Sequence, residues 1–179
     1  MSYVTTFTGK HFDPVEPDDS LIEDLDIAHS LSLLCRGNGH TKIFYSVGQH
    51  SIACAKEAEA RGETREVILG CLVHDASEAY LSDVTRPVKK DLDYYLKVED
   101  KLQNMLWRHY LGRDITDDER RRIFAVDDDM LDKEFHELMA EDLGDSYKNL
   151  VRIFTCEYQN PEDVSKEYIA LLDELRNID

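Results

Sequence analysis

A histidine and an aspartate stand side by side at the end of the most apolar stretch of this sequence. His74 and Asp75 directly follow residues 71–73, Cys-Leu-Val, so both are expected at the end of a buried helix. An ionised aspartate is costly to bury unless a cation or hydrogen-bond donors satisfy it. A divalent metal ion does this well, and the neighbouring imidazole can bind the same ion. Glu78 and Asp83 follow closely, and such crowding of titratable groups indicates a functional site.

Two further residues have the chemistry and the position to complete a metal site. His50 lies among apolar residues of another predicted helix, on or near its apolar side. Asp127 shares a helical line with Ile123 and Leu131, which predicts that it points inward, whereas Asp128 is rotated away by about 100°. The resulting set combines two imidazole nitrogens with two carboxylates. Such a set suits Mn, Co, Fe, Ni or Zn in a site with open positions.

Each of these features also has a plain structural interpretation. A single His-Asp pair is often structural or solvated, and a buried histidine is often merely hydrogen-bonded. The run Asp127 to Asp129 would by itself indicate a charged helix face, and Glu78 would be solvated at a frayed helix end. The metal-site hypothesis is favoured because the groups fall on inward-facing positions of different predicted helices.

Composition limits what the protein can do. A chain of 179 residues with 42% hydrophobic residues is long enough to bury a core, and we expect one domain over residues 1–179. The net charge of −17 disfavours nucleic-acid polymers and anionic membranes as partners, because both are negative. A small anionic substrate stays possible, because a metal ion and a few local cations can reverse the field inside a pocket.

The cysteines and the N-terminus predict a cytoplasmic protein. The four cysteines are widely spaced without a CxxC pair, and Cys54 and Cys71 lie in apolar stretches. We interpret them as reduced core residues. The first residues lack the basic and apolar segments of a signal peptide, and no stretch approaches the ~20 apolar residues of a membrane span.

Apolar spacing predicts an all-α fold, a compact bundle of about six to eight helices. Residues 3–19 are expected to be irregular or weakly extended. Asp19 or Ser20 is a predicted cap for the first helix, Thr64 for the third and Thr116, with Glu119, for a long later one. The predicted helices span residues 19–35, 47–60, 64–80, 92–110, 116–139, 147–157 and 161–177, with a loop through Pro87.

Three segments of the chain resemble the HD-domain metal-dependent phosphohydrolases, in particular the bacterial branch similar to 5'-deoxynucleotidases. Residues 44–51, FYSVGQHS, resemble the first-histidine motif of that branch, and residues 72–89, LVHDASEAYLSDVTRPVK, resemble its central signature. Residues 26–31, leading to Arg36, resemble the preceding helix. Val126 stands where the family commonly has alanine, so Asp128 remains an alternative to Asp127.

The resemblance implies a role for each matching residue. A divalent metal would be held by His50, His74, Asp75 and Asp127. It could be Mn, Co, Fe, Ni, Zn or Mg. The implied catalytic residues are Asp75, Arg36, which orients the phosphate, and Glu78, which transfers protons. The implied substrate contacts are Arg36, Gly37, His50, Asp83, Thr85, Arg86 and Lys89.

The expected activity is hydrolysis of (deoxy)nucleoside 5'-monophosphates to nucleoside and phosphate, with a small nucleotide as the partner. Two alternatives stay open. The same site could release triphosphate or pyrophosphate from nucleoside triphosphates, or the chain could be a nucleotide-binding module without turnover. The amount of amphipathic helix is consistent with a homodimer.

Overall fold

The protein folds into a helical bundle, which confirms the all-α prediction. A computed structural model describes residues 3–141 and 149–177. One antiparallel hairpin of two-residue strands lies at the start, pairing Val4 with Phe12. The elements are β1 Val4–Thr5, β2 His11–Phe12, α1 Asp24–Leu33, α2 Val47–Ala60, α3 Arg65–Val73, α4 Glu78–Leu81, α5 Arg86–Lys89, α6 Asp93–Leu111, α7 Asp117–Leu138 and α8 Pro161–Arg176.

Helices α2 and α3 occupy the centre of the bundle. They pack against each other, and both also contact α7 and α8. Helix α1 covers α2 and α8, while α6 lies against α3. Every described apolar residue of α3 except Ile68 is buried, as its dense apolar sequence predicts. The central helix α2 carries His50, and α3 ends directly before His74 and Asp75.

Local capping explains where two of the site-bearing helices begin. At the start of α2, the Ser46 hydroxyl accepts from the Gln49 amide at 3.1 Å, and the Gln49 side chain accepts from the Ser46 amide at 3.2 Å. Thr116 and Glu119 form the same reciprocal pair at the start of α7, as predicted. Thr64 also precedes its helix, but its side chain makes no capping hydrogen bond.

The third predicted helix is shorter than expected. Helix α3 ends at Val73, and the prediction that it continues to Tyr80 is wrong. Residues 74–77 form tight turns, in which the Ala76 amide donates to the Val73 carbonyl at 3.1 Å. The chain resumes as the single-turn helix α4. Likewise, the predicted loop through Pro87 contains the single-turn helix α5, with proline in its first turn.

The first predicted helix divides into two elements. Residues 19–21 form a 3₁₀ turn capped by Asp18, whose carboxylate accepts from the Ser20 amide at 3.0 Å. The buried Ile22 is extended, which separates this turn from α1. Helix α1 therefore begins at Asp24 rather than at residue 19 or 20.

The predicted helix over residues 147–157 is wrong for residues 149–157, which are irregular; residues 147–148 lie outside the described part. Side chains of the neighbouring helices take the place of helical carbonyls in this segment. Glu57 accepts from the backbone amides of Val151 and Arg152 at 2.8 and 3.0 Å. Glu137 accepts from the Cys156 amide at 2.7 Å. These carboxylates satisfy backbone donors that a helix would otherwise pair internally.

Gly70 permits the close approach of α3 to α7, which carries Asp127. A methyl group on its Cα would overlap Cδ1 of Ile123, a fully buried residue one turn before Asp127. We expect Gly70→Ala to lower the free energy of unfolding by about 1–2 kcal/mol, because overpacking costs about 1–3 kcal/mol and the better helix propensity of alanine offsets part of it. Denaturant unfolding measures this change. Adding Ile123→Val, which removes Cδ1, should restore part of the stability. A Gly70→Ala protein as stable as the wild type would contradict the tight contact between Gly70 and Ile123.

Cys54 and Cys71 are fully buried with free thiols, as the core interpretation predicts. Cys35 and Cys156 are free and half-buried. Within residues 3–141 and 149–177, every helix is too short or too polar to cross a lipid bilayer.

Candidate metal centre

Two helices and the turn after a third bring the four predicted metal-binding residues to a single point. His50 comes from α2, His74 and Asp75 follow α3, and Asp127 comes from α7. Nε2 of His50 lies 3.3 Å from Nε2 of His74 and 3.0 Å from Oδ1 of Asp127. Oδ2 of Asp75 lies 3.2 Å from Nε2 of His74 and 3.8 Å from Nε2 of His50. The turn after α3 therefore adds two adjacent residues to the same cluster.

Hydrogen bonds orient both imidazole rings. Nδ1 of His74 is 2.8 Å from the Cys71 carbonyl oxygen, and Nδ1 of His50 is 2.7 Å from Oε1 of Glu134. Both partners accept hydrogen bonds, so each Nδ1 carries a hydrogen. In a neutral ring Nε2 then presents a lone pair, and the two lone pairs meet beside two carboxylates. This arrangement could hold a cation between them.

The spacing of these donor atoms suits a divalent metal. A metal with ligand atoms about 2.0–2.2 Å away holds neighbouring donors roughly 3 Å apart, close to the separations seen here. Burial tends to lower the pKa of His74, but the charge of Asp75 and the hydrogen bond that the ring donates to Asp127 raise this pKa well above its ordinary value. Burial would raise the pKa of Asp75, yet His74 holds it at about 2. The carboxylates thus attract a positive charge to the Nε2 atoms.

Cys54 belongs to the same buried cluster and was not predicted as a ligand. Donor atoms of His50, Cys54, His74 and Asp127 lie within 4.8 Å of one another, so this group could hold a metal ion. Sγ of Cys54 is 3.6 Å from Nε2 and 3.9 Å from Nδ1 of His50. Because the two distances are similar, the sulfur lies beside the ring rather than ahead of its Nε2 lone pair. Its spacing from His50, four residues along α2, was an available signal of proximity.

Three consecutive aspartates of α7 have different partners. Asp127 reaches both histidines, whereas the Asp128 side chain is 63% exposed and pairs with Arg86 at 2.9 Å. Asp129 pairs with Arg61 at 2.8 Å. The structure therefore places Asp127, and not Asp128, in the cluster with His50 and His74.

Arg36 lies next to the metal-binding group, although it is distant in sequence. It begins a tight turn, residues 36–39, in which Gly37 has a φ of +58°. Nη1 of Arg36 is 3.4 Å from Oδ2 of Asp75, and its Nη2 is 3.3 Å from Oε2 of Glu134. A guanidinium in this place can bind an anion next to the cluster.

Glu134 was missed by sequence reasoning, although a signal existed. It follows Asp127 by seven residues, which is two helical turns and therefore the same face of α7. Its side chain is buried against His50 and Arg36. Burial would raise the pKa of Glu134, but His50 and Arg36 lower it below its usual value. The carboxylate is therefore ionised.

Glu78 lies buried at the start of α4, where its pKa responds to the charge of Asp75. Within the described residues its Oε2 has no hydrogen-bond partner. Burial, together with the charges of Asp75 and Asp83, raises the pKa of Glu78 well above its usual value, against the opposing influence of Arg36 and Lys89. A raised pKa favours the protonated carboxyl group, the form that a general acid requires.

The remaining predicted substrate contacts lie within residues 83–89, between α4 and the end of α5. Asp83 is half-buried, and its charge raises the pKa of both Glu78 and Arg36. Thr85 is the N-cap residue of α5. Arg86 lies 3.6 Å from Oδ2 of Asp127 as well as beside Asp128. Lys89 is held by Glu99 at 2.6 Å. The α4–α5 segment thus presents both acidic and basic groups near the centre.

Comparison with known proteins leaves the activity open. The chain matches no model of a known protein family. It is 40% identical over 112 residues to the uncharacterized protein YfdR of Escherichia coli K12, covering 62% of this chain and 59% of that protein. It is 37% identical over 101 residues to an uncharacterized protein of Rhodobacter capsulatus, covering 53% of this chain and 51% of that protein. The matches thus span little more than half the length of these relatives.

Proposed function

We propose that the protein is a metal-dependent phosphohydrolase of the HD type that cleaves (deoxy)nucleoside 5'-monophosphates to nucleoside and orthophosphate. The observation that carries this proposal is the convergence of two Nε2 atoms and two carboxylates at one point, next to Arg36 and Glu78. Metal-binding, anion-binding and proton-transfer groups then share one site. Hydrolysis of a phosphate ester requires these three functions together.

The metal-binding residues in this proposal are His50, His74, Asp75 and Asp127. A divalent ion supplies a positive charge for the phosphoryl oxygens and lowers the pKa of a bound water. Imidazole and carboxylate donors suit Mn, Co, Fe, Ni or Zn, and the identity of the metal stays open.

Arg36 is the proposed phosphate-binding residue. Its side chain is 13% exposed, and carboxylates on either side fix its guanidinium group. The planar group can donate two parallel hydrogen bonds to phosphoryl oxygens, which orients the phosphorus relative to the metal-binding residues. Arg86 lies on the exposed side of the same cluster and can add a second positive charge.

Glu78 is the proposed proton-transfer residue. Its raised pKa favours the protonated form of the carboxyl group, and its Oε2 has no hydrogen-bond partner among the described residues. It can therefore donate a proton to the 5' oxygen of the sugar as the P–O bond breaks, and the resulting carboxylate can later take a proton from water. Asp83, Thr85 and Arg86 would contact the nucleoside, and Lys89 would help to neutralise charge on the phosphoryl oxygens.

The test measures orthophosphate release from a panel of nucleoside mono- and triphosphates, with Mn, Co, Mg or EDTA added. Metal-dependent orthophosphate release from monophosphates would support the proposal and reveal the base and sugar preference. Release of polyphosphate from triphosphates alone would replace it with the triphosphohydrolase alternative. Absence of turnover with a folded, metal-loaded protein would indicate a binding module.

A further inference from the structure

Glu134 connects two groups to which the proposed function assigns separate tasks. Its side chain is 3% exposed, and its two oxygens have different partners. Oε1 lies 2.7 Å from Nδ1 of His50, while Oε2 lies 3.3 Å from Nη2 of Arg36. One buried carboxylate therefore contacts a metal-binding ring and the phosphate-binding arginine at the same time.

The His50 ring spans two turns of α7 through this contact. Its Nε2 meets Asp127, and its Nδ1 meets Glu134, seven residues later. Seven residues correspond to about 10 Å along a helix axis. The ring is thus held at both ends by a single helix, and its Nε2 lone pair is directed to the metal-binding position.

We propose that Glu134 is the positioning residue that couples metal binding to phosphate binding. This inference rests on the proposed function and adds a coupling element to its site. By accepting from Nδ1 of His50, Glu134 keeps Nε2 free to bind a metal. By accepting from Arg36, it holds the guanidinium beside Asp75.

Only a carboxylate can satisfy both partners, because both donate hydrogen bonds. A glutamine of the same shape offers one oxygen and one NH₂ group. With its oxygen toward His50, the NH₂ group opposes the guanidinium of Arg36. With its oxygen toward Arg36, the NH₂ group favours the His50 tautomer that carries hydrogen on Nε2, which blocks metal binding. Glu134→Gln therefore breaks at least one of the two contacts without changing the volume of the side chain.

The test compares Glu134→Gln with Glu137→Gln, a control on the same helix whose carboxylate pairs with Lys133 and the Cys156 amide. Mn²⁺ affinity reports on His50, and the affinity of the Mn²⁺-loaded protein for inorganic phosphate reports on Arg36. We expect Glu134→Gln to weaken one or both affinities by about tenfold to hundredfold, as loss of an outer hydrogen-bond partner typically does. The control should match the wild type. Nitrogen NMR of labelled histidine rings shows whether the His50 tautomer changes.

A second comparison tests whether Glu134 acts through Arg36. In an Arg36→Ala background, the contact between Arg36 and Glu134 is already absent. Adding Glu134→Gln should therefore not weaken phosphate binding further when both proteins are loaded with metal to the same extent. A folded Glu134→Gln protein with both affinities intact would overturn the inference, even if its melting temperature fell. A wild-type protein that binds neither Mn²⁺ nor phosphate would overturn the proposed function as well, which separates the two failures.

Discussion

Replacing His74 by alanine should abolish phosphate release and weaken metal binding by at least about a hundredfold. This loss of affinity is larger than the usual loss when a residue that only hydrogen-bonds to a metal ligand is removed. The His74 ring is buried, and the Cys71 carbonyl fixes its orientation. It brings Nε2 within 3.3 Å of the equivalent atom of His50. Alanine removes one of the nitrogen donors, and no neighbouring group in the described structure can occupy its position without moving. Metal content after dialysis and turnover at saturating Mn²⁺ measure the two effects.

A matched substitution separates this effect from a general loss of stability. His109 lies on α6 and pairs with Asp19, and neither residue belongs to the cluster. His109→Ala should bind metal and release phosphate as the wild type does. A folded His74→Ala protein with normal metal affinity would remove His74 from the metal centre.

Replacing Glu78 by alanine or glutamine should lower turnover by about 10²–10⁴-fold, the usual contribution of a general acid or base. Glu78 is buried beside the metal-binding residues, but its Oε2 is free of protein partners among the described residues. Metal content should stay at the wild-type level, because the four metal-binding residues are unchanged. Orthophosphate release and bound metal, measured on the same samples, test this prediction. Undiminished turnover would exclude Glu78 from proton transfer.

The stability of the Glu78→Gln protein provides an internal control. When folding raises the pKa of an acid, the folded state holds the proton more tightly than the unfolded state does. The free energy of unfolding then falls as the pH rises above the pKa of the acid in the unfolded chain, which is about 4.3 for glutamate. Because folding raises the pKa of Glu78, metal-free Glu78→Gln should be more stable than the wild type near neutral pH. The advantage should shrink as the pH falls toward that value. Lost turnover in a protein of equal or greater stability then reflects chemistry, not unfolding.

Most helices could be predicted because their signals are local. Apolar residues at helical spacing and a Thr116–Glu119 capping box are sufficient to define α7 within one residue at either end. The bounds of α2 agree with the prediction. In residues 149–157 the prediction failed because Glu57 and Glu137, distant in sequence, bind the backbone amides there.

The inward face of α7 shows how a local pattern can be slightly misplaced. Apolar residues alone suggested a line through Asp127 and Leu131, but the buried residues are Ile123, Val126, Met130, Glu134 and Leu138. The buried line is therefore rotated relative to the predicted one. Asp127 lies at its border, where it can reach both histidines, and Glu134 lies within it. The predicted line followed Asp127 and the apolar residues beside it, which is why Glu134 was missed.

By itself, the sequence determined the helical class, the positions of the main helices and a short set of chemically suitable residues, His50, His74, Asp75 and Asp127. These follow from spacing, capping and the cost of burying charge. Only the tertiary structure decided which groups meet: Asp127 in preference to Asp128, Glu134 between His50 and Arg36, and Cys54 beside the ring. His50 and Glu134 are 84 residues apart. Contacts over such separations depend on how α2, α3 and α7 pack, and side-chain spacing within one helix carries no information about that packing.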